Sequence, residues 1–169
     1  MENPFVYQDK TISFVTEAVQ LCLILEHTTE LERDDFLQRM CCALPLLYVK
    51  ARMLEIPDEL LDGETQRFVQ EDDYRYVEAG VKTLLGTDDA YLEVFLEDMR
   101  YSDEPITAFI SEHLADIYQE LKDMAANFQT NNEAVMNDAV RTCLLAFQEH
   151  WGQKLVDVMR PLHALTTDL

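Results

Sequence analysis

Four carboxylates, Glu112, Asp116, Glu120 and Asp123, recur one helical turn apart in the amino-acid sequence. Such a stripe serves magnesium-dependent phosphate chemistry when carboxylates from two helices converge, because magnesium takes six oxygen ligands and shares them with the substrate phosphate. Here the stripe lies opposite the apolar positions Ile110, Ile117, Leu121 and Met124, and no paired Glu-x-x-Glu on a second helix answers it. The expectation is a solvated helix face. His113, at the edge of the same apolar stripe, reads as a hydrogen-bonded boundary histidine, with general-base chemistry as the alternative. Trp151-Gly152 is unusual inside a helix, where glycine costs about 1 kcal/mol relative to alanine. Close packing beside the large ring accounts for it; a ligand groove formed by Tyr48, His113 and Trp151 is the alternative.

Other chemistries lack their motifs. A di-iron carboxylate bundle needs Glu-x-x-His on two helices, and none occurs; His-x-x-x-His and His-Glu-x-x-His are absent as well. With glycine only at 63, 80, 86 and 152, neither a P-loop nor G-x-G-x-x-G can be written, and G-x-S-x-G is missing. No cofactor is expected. The cysteines, Cys22, Cys41, Cys42 and Cys143, form no C-x-x-C pair and stand among apolar residues, so they read as buried, reduced thiols of a cytoplasmic protein. No targeting signal is expected, and the most apolar run, Val19–Leu25, is far short of the roughly 20 residues a spanning helix needs.

The elements that must position these residues are helical. In 169 residues with four Gly and five Pro, one domain over 1–169 is expected and a turn-dense β-sandwich is excluded. The spacing predicts a central helix from Thr11 to His27 and a second from a Thr29–Glu32 capping box to about Leu54, with a kink or break near Cys41 caused by Pro45. Residues 58–70 read as a loop with a short extended piece at Phe68-Val69. A third helix spans about Glu71 to Leu85, capped by Gly86. Thr87-Asp88-Asp89 caps a short fourth helix through Met99, and Tyr101–Pro105 opens a fifth that carries Ile106, Phe109 and Ile110 inward. The last helix runs from a Thr130–Glu133 capping box to about His163. The fold class is an all-α bundle of five or six helices.

Charge is the strongest compositional signal. The chain has 33 acids against 13 bases, a formal net charge of −20, and residues 55–104 hold 16 of the acids with 4 of the bases. This excess opposes direct binding to nucleic acid or anionic membrane and favours a basic protein partner. The candidate contact surface is the acidic middle, about 58–104, through Asp72, Asp73, Asp88, Asp89, Glu97, Asp98 and Asp103. The functional expectation is a non-enzymatic interaction or adaptor module. A metal-dependent hydrolase with converging helix carboxylates, or a small-ligand-binding bundle, is the alternative. Oligomeric state stays open.

Four stretches carry a resemblance: Ala43–Ala51 (ALPLLYVKA), Tyr101–Pro105 (YSDEP), Leu114–Asp123 (LADIYQELKD) and His150–Val156 (HWGQKLV). In this order and over essentially the whole chain, the sequence resembles a bacterial domain-of-unknown-function family of small acidic proteins. The resemblance implies a cytoplasmic helical protein of the Bacteroides group, and it brings no activity and no catalytic residues with it.

Overall fold

The 3.6-residue apolar spacings are realised as six α-helices in the computed structural model, which describes residues 2–93 and 104–167. Helix α1 (Asp9–Glu26) buries Phe14, Ala18, Leu21 and Leu25, yet its apolar residues Ile12 and Leu23 face water. The centre is instead α4 (Ile110–Phe128), whose Leu114, Ile117 and Leu121 are fully buried. It packs against α1, α3 (Glu71–Leu85), α5 (Glu133–Ala146) and α6 (Gly152–Thr166), while α2 (Arg33–Arg52) closes the bundle against α1 and α6. Gly86 ends α3 at φ +56°, a left-handed conformation that glycine tolerates without a Cβ penalty.

Several boundaries differ from the sequence expectation. The Thr29–Glu32 capping box does not form: residues Thr28–Glu30 make a 3₁₀ turn with the Thr28 side chain buried, and α2 begins at Arg33. That helix then runs unbroken through Pro45. Proline forfeits only its own hydrogen bond back to Cys41, and the fully buried Met40, Leu44 and Leu47 hold both sides of the gap.

Over the described part of the expected fourth helix stand a 3₁₀ turn, Gly86–Asp89, and a strand, β1 (Ala90–Glu93), paired antiparallel to β2 (Ile106–Phe109) with Ala90 opposite Phe109. Tyr91 points in while Ala90 and Leu92 point out, the period-two pattern of a strand. The expected positions Phe95, Leu96 and Met99 lie outside the described residues. The fifth expected helix starts at Ile110 rather than after Pro105, so Ile106 and Phe109 are exposed on β2.

The last expected helix is two helices joined by a π turn, Phe147–Trp151. Asn132, not Thr130, caps α5, accepting from the amides of Ala134 and Val135 at 3.1 and 3.2 Å. Gly152, the first residue of α6, closes the π turn: a Cβ there would stand 2.5 Å from the Phe147 carbonyl oxygen and 3.0 Å from its ring.

Candidate functional site

Residues 54–70 cross from α2 to α3 without regular structure, and polar side chains of α4 and α5 hold their backbone. Asp138 is the main anchor. It is 3% exposed, and its two oxygens accept from the amides of Leu60 and Leu61, each at 2.8 Å. Asn137 donates to the Asp58 carbonyl at 2.8 Å and to Asp138 at 3.0 Å, and Arg141 donates to the Pro57 carbonyl at 2.7 Å. Burial alone would raise the Asp138 pKa. The donors from Leu60, Asn137 and Leu61, with the Arg141 charge, reverse that and hold it below the ordinary aspartate value. At the far end of the loop Asp123 accepts from the amides of Phe68 and Val69 at 2.7 and 2.8 Å, and Asn127 donates to the Gln66 carbonyl at 2.8 Å. The piece expected to be extended at Phe68-Val69 is therefore pinned by a carboxylate, not paired in a sheet.

Between the two anchors the loop spans a cleft of about 330 Å³ against α4 and α5. Five carboxylates line it, Glu59, Glu64, Glu120, Asp123 and Asp138, with Arg67 and Arg141. Asp123 and Asp138 are committed to backbone amides. Glu120 makes no hydrogen bond to another described residue. Its carboxyl is pushed up from the ordinary glutamate value, mainly by burial, with Arg67 opposing and Asp123 reinforcing the rise. Asp58, Glu59, Asp62 and Glu64 are exposed and their carboxylates make no bond among the described residues.

The acidic stripe on α4 is thus not a solvated face. Only Glu112 is exposed. Asp116 accepts from the Tyr74 hydroxyl at 2.6 Å and forms a short ion pair with Lys154, joining α3, α4 and α6. Burial first, then the bond to Asp116, raises the Tyr74 pKa. Among the described residues no three His, Cys, Asp or Glu side chains come together as a metal site.

The predicted surface residues separate. Asp72 is exposed in the first turn of α3. Asp73, also exposed, accepts from the Gln70 amide at 2.9 Å and caps that helix. Asp88 pairs with Arg33 at 2.5 Å. Asp89 is 2% exposed and cannot serve as an outer contact: it accepts from the Ser111 amide at 2.7 Å and the Ser111 hydroxyl at 2.6 Å, capping α4 from 22 residues away. Glu97, Asp98 and Asp103 lie outside the described residues.

The predicted groove residues also have separate partners. Tyr48, Phe147 and Trp151 pack edge to face, with centroids 5.4 and 4.6 Å apart. Trp151 is 1% exposed and its indole N–H donates to the Cys143 carbonyl at 2.9 Å, so it fills the core. The hollow beside Phe147 is about 40 Å³, room for a water molecule and not for an organic ligand. His113 instead meets the Tyr91 hydroxyl at 2.7 Å through Nδ1 and faces Glu93 at 3.5 Å through Nε2.

All four thiols are free, but only Cys22 and Cys143 are buried; Cys41 is half-buried and Cys42 exposed. Burial pushes the Cys22 thiol up to about 12. No helix among the described residues is long and apolar enough to cross a membrane.

Sequence reasoning missed Glu59, Glu64, Arg67, Asn127, Asn137, Asp138 and Arg141. A signal existed for one pair, since Asn137-Asp138 puts two poor helix formers inside an apolar helix pattern.

Residues 5–168 match the family model described as "Domain of unknown function (DUF5063)". The fold is similar to the crystal structure of protein BF1032 from Bacteroides fragilis, at 35% identity and a TM-score of 0.85, over 95% of this chain and 94% of that one. No curated protein matches the sequence.

Proposed function

We propose that this chain, which belongs to the DUF5063 family, is a non-enzymatic cytoplasmic interaction module whose acidic middle contacts a basic protein. The observation that carries the reading is the set of uncommitted carboxylates on and under the 54–70 loop. Asp58, Glu59, Asp62 and Glu64 face water without partners among the described residues, and Glu120 lies in the cleft below without a hydrogen bond to any of them. Lysine or arginine from a partner would supply the missing donors, and a field of this sign speeds encounter with a positive surface. The cytoplasmic part is supported by four free thiols, one exposed, which suit a reducing compartment.

The acidic surface reaches α3 through exposed Asp72 but not the turn before β1, where Asp88 and Asp89 are spent on Arg33 and on α4. The test is binding of a labelled lysine-rich peptide to the full chain at rising salt, with wild type beside the Glu59→Lys, Glu64→Lys, Asp72→Lys variant. All three side chains are exposed and make no bond among the described residues, so the fold should survive. The wild type should bind at low salt with affinity falling steeply as salt rises, and the variant should bind about tenfold more weakly. No binding by the wild type at low salt, or equal binding by the variant, sinks the reading.

A further inference from the structure

We infer that residues 58–64 form a preformed docking tip for a basic amphipathic helix of another protein, with Leu60 and Leu61 as the apolar anchors. The inference rests on the acidic-interaction reading above and specifies the partner's chemistry. In this stretch, Asp58-Glu59-Leu60-Leu61-Asp62-Gly63-Glu64, every residue is exposed. Leu60 is 56% and Leu61 39% accessible, although neighbouring apolar side chains of the same crossing, Leu54, Ile56 and Val69, turn inward and pack on the core.

The backbone beneath the two leucines is held unusually well for an exposed loop. Exposed amides need no protein partner, because water satisfies them at no cost. Here the amides of Leu60 and Leu61 are bonded by a carboxylate that has itself been buried, and the carbonyls of Pro57 and Asp58 just before them accept from Arg141 and Asn137. Burying Asp138 costs desolvation energy, and what it fixes is two leucine side chains pointing at solvent. Folding gains from the hydrogen bonds themselves, but it gains nothing from holding the two leucine side chains in water. Binding gains from it, because a tip ordered in advance pays less conformational entropy when a partner arrives.

The surrounding charge selects the occupant. Four carboxylates with no partner among the described residues frame the leucine pair, so an apolar stripe flanked by lysine or arginine is the complementary face, and a helix carries both at 3.6-residue spacing. A second exposed apolar surface, Leu46, Val49 and Met53 on α2, has Asp9, Lys10 and Lys50 beside it and no such bias.

The experiment measures fluorescence anisotropy of three labelled peptides with the full chain. One is a lysine–leucine peptide with amphipathic helical spacing, one has the same composition scrambled to erase the apolar face, and one replaces lysine by glutamate. The amphipathic basic peptide should bind about tenfold more tightly than the scrambled one. Leu60→Ser with Leu61→Ser, both at exposed positions, should bring it down to the scrambled level while the circular dichroism stays unchanged. If both lysine peptides bind alike and the double variant changes nothing, the docking tip is overturned and the acidic surface stands. If neither lysine peptide binds at low salt, the underlying reading falls. Equal binding of the glutamate peptide would overturn the charge selection. A concentration-dependent dimer in sedimentation, dissolved by the double serine variant, would overturn the partner in favour of a second copy.

Discussion

The first turn of α4 receives the carboxylate of Asp89, and beside its last turns α5 presents the carboxylate of Asp138. Both groups are almost fully buried and hydrogen-bonded: Asp89 accepts from two donors at 2.6–2.7 Å, and Asp138 from three at 2.8–3.0 Å. What they hold is different. Asp89 closes the orphan amide end of a helix whose next residues, Ile110 and Leu114, are fully buried. Asp138 holds a loop whose next residues, Leu60 and Leu61, face water. One buried carboxylate serves the core, and the other serves the shape of a surface. Buried polar groups therefore have to be judged by what they position as well as by their bonds.

The largest effect expected from this difference is at Asp89. Asp89→Ala removes a helix cap and strands the buried Ser111 hydroxyl and amide, a loss of about 3 kcal/mol in denaturant unfolding. Because α4 is the hub of the bundle, the transition should stay cooperative and simply shift. A loss under about 1 kcal/mol would mean that water replaces the carboxylate and that this end of α4 is not sealed.

Asp138→Ala should cost less, about 2 kcal/mol, because the loop can lift away locally and expose its amides to water without unfolding the helices. Hydrogen exchange at Leu60 and Leu61 should rise toward the open-chain rate while the α4 amides stay protected. If both regions lose protection together, the loop is part of the core and the contrast with Asp89 disappears. The pH dependence has a definite sign. The folded pKa of Asp138 is lowered, so its stabilisation is present above the unfolded value near ~4 and is lost as pH falls through the folded value. Asp138→Asn should flatten that part of the acid limb.

The same contrast explains what was legible in the sequence. Helix faces were, because apolar residues at 3–4 spacing such as Leu114, Ile117 and Leu121 have no other good use. The long-range carboxylates were not. Asp88-Asp89 looks like a local cap when read along the chain, yet Asp89 caps a helix 22 residues further on. Asp138 meets amides 77 and 78 residues away, and no local spacing encodes that. Strand β1 escaped notice because four residues are too few for a period-two pattern to outweigh nearby caps. The π turn escaped because Phe147 and Trp151 fit both a continuous helix and an interrupted one. Of the candidate surface, exposure at Asp72 and Asp73 agreed with the helix pattern, while the burial of Asp89 depended on β1. The loop at 58–70 could be seen as a loop, but its anchors could not be seen.

The smallest expected effect sharpens the comparison most directly, because it concerns a carboxylate that has no assigned donors. Glu120 sits in the cleft beneath the loop with its pKa raised, mainly by burial. A raised folded pKa means that its favourable contribution is complete below the unfolded value near ~4.3 and is lost as pH rises through the folded value. At pH 7 the ionised group is therefore a mild liability in the free protein. Glu120→Gln should raise the melting midpoint slightly at pH 7, and the gap should close toward pH 4, where wild-type Glu120 is protonated too. The same variant should bind the lysine-rich peptide more weakly. Stability gained together with binding lost is the pattern of a group kept for a partner rather than for the fold. A variant less stable than wild type at pH 7 would instead place Glu120 with Asp89 and Asp138, among the carboxylates that hold the molecule together.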